Sequence, residues 1–156
     1  MLTAELLSAG FMLAELRVGG FTADGLRAAG LKAPELKAAN FSAGELREGG
    51  FSATVLRSAG FTPFQLGEGG FSSKTLKETG ISAAELKDNG FNASSLKEGM
   101  FPLSMLKPLF LPPQLREAGF SAKEMREVGF TLEELVTCFP AVDLRNAGYY
   151  CSEMRT

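Results

Sequence analysis

Phe41-Ser42-Ala43-Gly44-Glu45-Leu46-Arg47-Glu48-Gly49-Gly50 is followed at once by Phe51-Ser52-Ala53-Thr54-Val55-Leu56-Arg57-Ser58-Ala59-Gly60. The second stretch repeats the first, residue class by residue class. The unit Phe-Ser/Thr-Ala-x-Glu-Leu-Arg/Lys-x-Ala-Gly continues along the whole 156-residue chain. A fixed internal period decides the fold before any single motif is weighed.

Numbering the unit one to ten from Phe gives each position a job. Position two carries a helix N-cap residue, as at Thr22, Ser42, Ser52, Thr62, Ser72, Ser82, Asn92, Ser121 and Thr131. Such side chains accept from the orphan N–H groups of the first turn. Glu45, Glu85, Glu124 and Glu134 stand three residues after the cap, which is capping-box spacing. Phe41 and Leu46 have the spacing of a hydrophobic staple. Gly at position ten suits the left-handed residue that closes a helix, and the next Phe falls where a Schellman motif places an apolar contact. The pattern predicts a helix over positions three to nine, then a Gly-Phe-Ser corner, then the next helix.

Two helical turns are too short to stand alone, so each helix takes its stability from its neighbours. Positions three, six and nine share one face and carry Ala, Leu and Ala or Gly. Positions four and eight vary freely, as a solvated face does. The expected fold is therefore all-α. It is a single solenoid over 1–156 of about sixteen short helices, one per repeat, joined by Gly-Phe corners. Gly turns of this length cross helices at about 90–120°, so three or four repeats are expected per coil, with two per coil as the alternative.

The phase runs unbroken from Met1 to Met100, with Leu6, Leu16 and their successors to Leu96 at position six. Pro34 and Pro63 fall in first turns, where a missing N–H costs little. Asn40 replaces Gly at one helix end. Leu2, Leu7, Met12 and Leu13 make the first two repeats unusually apolar. Either these side chains fold over the open end of the core, or that end stacks on another copy or a partner. Nine-residue units occupy 101–109 and 130–138. Pro108 sits in what should be a last helical turn, so that helix should be short or broken. Met100, Met105 and Leu111 are apolar at phases that are polar elsewhere. They read either as side chains filling a kink or as a partner-docking patch. The candidate partner-binding residues are Met100, Met105, Leu109, Leu111 and Tyr150.

Position seven is Lys or Arg in 13 of 16 repeats. A basic stripe that tracks phosphates is one reading. The other is a cation in each last turn complementing the helix dipole, alternating with Glu at position five in mixed-sign ladders. A net charge of −2 favours the second. So does the expectation that the Phe residues form a buried column, leaving no aromatic platform beside the basic positions. No nucleic-acid partner is expected.

The chain has no His, no phosphate loop and no acid–base pair distinct from the repeat, so no catalytic, cofactor-binding or metal-binding residue is assigned and no enzyme is expected. Cys138 and Cys151 read as buried or half-buried thiols, with a disulfide left open; two cysteines are too few for a structural metal site. Glu5 and Glu15 interrupt what a signal peptide would need, and no membrane span is read, so a cytoplasmic location is the default.

The tandem Phe-Ser/Thr-Ala-x-Glu-Leu-Arg-x-Ala-Gly, seen again in Gly119-Phe120-Ser121-Ala122-Lys123-Glu124-Met125-Arg126, resembles the ten-residue repeats in the central region of the channel-core protein of Dot/Icm-type type IV secretion systems. The resemblance implies a repeat array within a large assembly and carries over no functional residue. Expected functions are two. One is a rod-like scaffold or spacer acting through protein–protein contacts, including self-association through its ends. The other is a binding module that presents segment 100–113 or one solenoid face to a protein partner.

Overall fold

The computed structural model describes Glu5 and residues 12–150. Leu2, Leu6, Leu7, Cys151 and the rest of the final partial repeat lie outside the described residues. Fourteen helices are present among the described residues, and no strand. They are α1 (Leu13–Val18), α2 (Ala23–Ala28), α3 (Ala33–Ala38), α4 (Ala43–Glu48), α5 (Ala53–Ser58), α6 (Pro63–Glu68) and α7 (Ser73–Glu78), then α8 (Ala83–Asp88), α9 (Ala93–Glu98), α10 (Leu103–Leu106), α11 (Pro112–Glu117), α12 (Ala122–Glu127), α13 (Leu132–Leu135) and α14 (Ala141–Asn146).

The caps act as their spacing dictates. In α4 the Glu45 N–H donates to Ser42 Oγ at 3.2 Å, and the Ser42 N–H donates back to Glu45 Oε2 at 2.7 Å. Ser121 and Glu124 repeat the box in α12. At Thr22 the hydroxyl turns instead to the Asp24 carboxylate and holds it below the usual carboxylate range. Pro34 and Pro63 sit in first turns, as expected. The regular helices span positions three to eight, one residue shorter than expected, because position nine already serves as the C-cap.

The far end is a Schellman closure. The Phe51 N–H donates to the Leu46 carbonyl and the Gly50 N–H to the Arg47 carbonyl, both at 2.9 Å. Gly50 has φ +80°, a region in which a Cβ would be strained. Asn40 and Met100 adopt the same conformation without being Gly, at φ 63° and 59°. The nine-residue repeats lack position ten. There Phe110 and Phe139 bond back to Leu106 and Leu135, four residues earlier, each at 3.0 Å. Their helices α10 and α13 shrink to four residues; the shortening of α10 was expected from Pro108, that of α13 follows from the missing position and was not expected.

Contacts divide the chain into two compact units, Met1–Ile81 and Ser82–Thr156. Each is a short-helix solenoid with position six at its centre. Leu26, Leu36, Leu46, Leu56 and Leu66 are fully buried in the first, and Leu86, Leu96, Leu106, Leu115 and Met125 in the second. A fully buried Leu contributes roughly 1.5–3 kcal/mol over an exposed one. Position three lines the same core through Ala23, Ala43, Ala93 and Ala122.

The coil is tighter than the expected three or four repeats. In the first unit the closest non-sequential pairs are second neighbours: α2 on α4, α3 on α5 and α4 on α6. In the second they are α9 on α11 and α12 on α14. Side-chain bridges between coils span 19 to 28 residues, so a coil closes after two to three repeats. Small residues permit the tight turn. A Cβ added to Gly49 would lie 2.6 Å from the Ala23 Cβ, and one on Gly69 would lie 2.8 Å from the Ala43 backbone. At these two places helix backbones meet where no side chain fits.

Candidate functional site: the corners and the 100–113 segment

The corners gather the polar chemistry of each coil. Each ends a helix in outward carbonyls at positions nine and ten, followed by the ring at position one. Cations from position seven, two repeats earlier, fill these corners. Lys97 Nζ donates to the Gly119 carbonyl at 2.6 Å and lies 4.3 Å from the centroid of the Phe120 ring. Lys107 bonds the Gly129 carbonyl with its ammonium 4.7 Å over Phe130. Arg126 donates to the Ala147 carbonyl at 3.1 Å and lies over Tyr149. In the first unit Lys37 bonds the Gly60 carbonyl beneath Phe61, Arg57 bonds the Thr79 carbonyl, and Arg27 lies 5.8 Å over Phe51.

This geometry corrects two expectations. The cations serve a helix C-terminus, as the dipole reading required, but the helix belongs to the next coil and not to their own. Among the described residues, Glu at position five forms such a ladder rung where Arg17 meets Glu45 at 3.1 Å. The rings at position one do accompany the basic positions, as the faces on which the cations rest. The periodic sequence shows every partner of these contacts. It does not show which repeat meets which.

The register survives both nine-residue repeats. Lys87 lies over Phe110, beyond the short repeat 101–109, and Arg116 lies over Phe139, beyond 130–138. Deleting position ten therefore shortens the corner without shifting the ring from its cation.

Carboxylates at the caps are held in their charged form. The Ser42 backbone N–H, the Ser42 hydroxyl and then Arg17 lower Glu45 below the usual range. The Ser121 hydroxyl and N–H, with Lys97 nearby, do the same for Glu124. Burial pushes the Cys138 thiol up; its Sγ lies 3.3 Å from the Leu135 carbonyl and carries no disulfide. The buried Tyr149 hydroxyl donates to the Phe130 carbonyl, so an aromatic with a polar tip fits position one.

The structure places Met100, Met105 and Leu111 on the surface, 68%, 56% and 68% exposed. That overturns the kink-filling reading. The lost residue is absorbed by a shorter corner, in which the Phe110 N–H bonds directly back to the Leu106 carbonyl. Met100 precedes α10, Met105 lies within it, and Leu111 caps α11. Leu109 is half-buried and belongs partly to the core. Tyr150 is exposed but lies after α14, apart from that segment in the chain. At the other end Met12 is exposed and Leu13 half-buried.

Sequence reasoning did not assign Phe64, whose ring is exposed beside a groove of about 490 Å³ also lined by Phe41, Phe61, Gly44 and Gly69. Its signal was present, since it is the Phe that falls off position one. An equivalent groove of about 330 Å³ lies two repeats earlier, between Phe21, Ala23, Glu45 and Gly49. These grooves are the outer side of the close helix approaches.

Short helices closed by Schellman corners and locked coil to coil by basic side chains define a solenoid repeat protein. The chain belongs to the decapeptide repeat family, whose model, described as the decapeptide repeat region, matches residues 2–73, 41–109 and 70–138. No curated protein and no solved structure matches it significantly. Among the described residues no helix is long and apolar enough to cross a membrane.

Proposed function

We propose that this chain is a scaffold or spacer in a protein assembly, acting through protein–protein contacts and not as a catalyst. The recurring polar groups are used within the array. Cap hydroxyls and Glu residues close helix starts, and position-seven cations close helix ends two repeats on. Cations bound to carbonyls and rings are poorly placed to track phosphates, which supports protein partners over nucleic acid. The likeness to the Dot/Icm channel-core repeats makes a secretion assembly one setting for such a component.

The observation that carries the reading is Met100. It occupies the left-handed position that Gly holds at most corners, and it is exposed. A non-Gly residue there costs about 1 kcal/mol, and such strain concentrates at functional positions. Met105, within α10, and Leu111, at the start of α11, are also exposed. We place the contact with the partner on this segment.

A photoreactive amino acid at position 105 or 111 tests this in the producing cell. A discrete heavier adduct is expected from both positions and not from position 98, which lies on the solvated face. Identical smears or no adduct from all three would remove the contact from this segment.

A further inference from the structure

Two grooves of the first unit occupy the same place in the repeat and differ in what closes them. In the smaller, of about 330 Å³, Arg17 pairs with Glu45 at 3.1 Å, and Asp24 lines the wall at position four. The larger, of about 490 Å³, lies two repeats on. There Lys37 stands in place of Arg17, Gln65 in place of Glu45 and Gly44 in place of Asp24. Gln65 is neutral and forms no ion pair with Lys37. Its Oε1 accepts from the Thr62 N–H at 3.0 Å, while Lys37 bonds the Gly60 carbonyl and lies 4.8 Å over Phe61. Gly44 lies within α4 and is not among the glycines of left-handed torsion. A Cβ on it would lie 3.5 Å from the Gly69 Cα, which is ordinary contact. The fold therefore has room at position 44 for a side chain that the sequence does not supply. Phe64 adds an aromatic wall, 55% exposed.

We propose that this groove between α4 and α6 seats an aromatic side chain of a partner protein, carried next to a lysine or arginine. A flat ring can lie on the bare backbone at Gly44 and meet Phe64 edge-on or offset, the arrangements that aromatic pairs favour. The neighbouring cation follows from charge. Glu68 lines the groove, is exposed and joins no ion pair among the described residues, whereas the Lys37 ammonium is engaged by a carbonyl and a ring. The inference rests on the reading that the protein works through protein contacts, and it adds a contact distinct from segment 100–113.

The test uses the full chain, labelled with nitrogen-15, titrated at low ionic strength with N-acetyl-phenylalanyl-lysine amide. The expected result is a saturable shift of the Gly44 and Gly69 amides, about fivefold larger than at Gly49 in the smaller groove. N-acetyl-alanyl-lysine amide lacks the ring, and N-acetyl-phenylalanyl-glutamate amide reverses the charge. Each should shift the Gly44 and Gly69 amides about fivefold less. The double variant Gly44→Asp, Gln65→Glu gives the larger groove the residues of the smaller, and the Gly69 response should fall about fivefold. Equal shifts at Gly49 and Gly69, an equal response to either control dipeptide, or an undiminished response in the double variant would overturn the proposal. So would shifts of Gly44 and Gly69 that appear on concentrating the protein without probe, which would assign the groove to a second copy. If the double variant fails to fold, the three dipeptides on the unaltered chain decide it. Because the probe reads a groove within residues 37–69, its result is separate from whether cross-linking at positions 105 and 111 finds a partner.

Discussion

The ammonium of Lys97 lies 4.3 Å from the centroid of the Phe120 ring, and the same group bonds the carbonyl just before that ring. One side chain thus stitches a coil to the next through two different attractions. A partly exposed cation–π contact is worth about 0.5–1 kcal/mol, and a charged hydrogen bond somewhat more. Lys97→Met keeps the stem and removes the charge. It should lower stability to urea by about 1–2 kcal/mol. A double-mutant cycle with Phe120→Leu should show coupling above about 0.5 kcal/mol. Additivity within error would mean that the ring contributes nothing to holding the cation.

Gly49 and Gly25 should respond to alanine with opposite signs. At Gly49 an added Cβ would come 2.6 Å from the Ala23 Cβ and 2.9 Å from its backbone. Backbone cannot swing aside, so Gly49→Ala should cost about 1–3 kcal/mol. Gly25, inside α2, has ordinary room, its nearest neighbour being the Thr22 hydroxyl at 3.5 Å. Gly25→Ala should stabilise by up to about 1 kcal/mol through helix propensity and reduced freedom of the unfolded chain. Thermal melts of the two variants check both signs at once.

Met100→Gly should raise stability by about 1 kcal/mol, since it relieves a left-handed residue with a Cβ. The same change should weaken the cross-linked adduct formed from position 105. A more stable protein that keeps its partner fully would show that Met100 is tolerated strain and not a contact.

Acid should loosen the caps in a defined window. Glu45 and Glu124 are lowered in the folded protein, so their contribution is present above the unfolded value of about 4.3. It is lost as pH falls through the lower folded value. Melting temperature should therefore decline as pH is taken below that range. The double variant Glu45→Gln, Glu124→Gln should show a shallower decline, because glutamine keeps an acceptor for the cap N–H without titrating. An unchanged acid limb would assign acid sensitivity to other carboxylates.

The corners were legible in the sequence because their interactions are local. Ser42 to Glu45 and Phe51 to Leu46 involve three and five residues of separation, so spacing alone specifies them. The exposed segment was half legible. Met100, Met105 and Leu111 stood out by phase, but phase could not say whether they turned inward or outward. Phe64 was visible as an exception, though nothing nearby in the sequence marks the groove it borders.

The sequence by itself determined where the regular helices start, that a left-handed corner follows each of them, and which face holds Leu at position six; the helix ends it placed one residue too late. Caps, left-handed closures and helix periodicity are settled within one repeat, whatever lies beyond it. Only the tertiary structure decided that a coil closes in two to three repeats, that Lys97 reaches Gly119 and Phe120, and that Gly49 is small because Ala23 is there. Those facts depend on how corner torsions add over some twenty residues and on which backbones then collide, and a periodic sequence offers many equivalent partners for each contact.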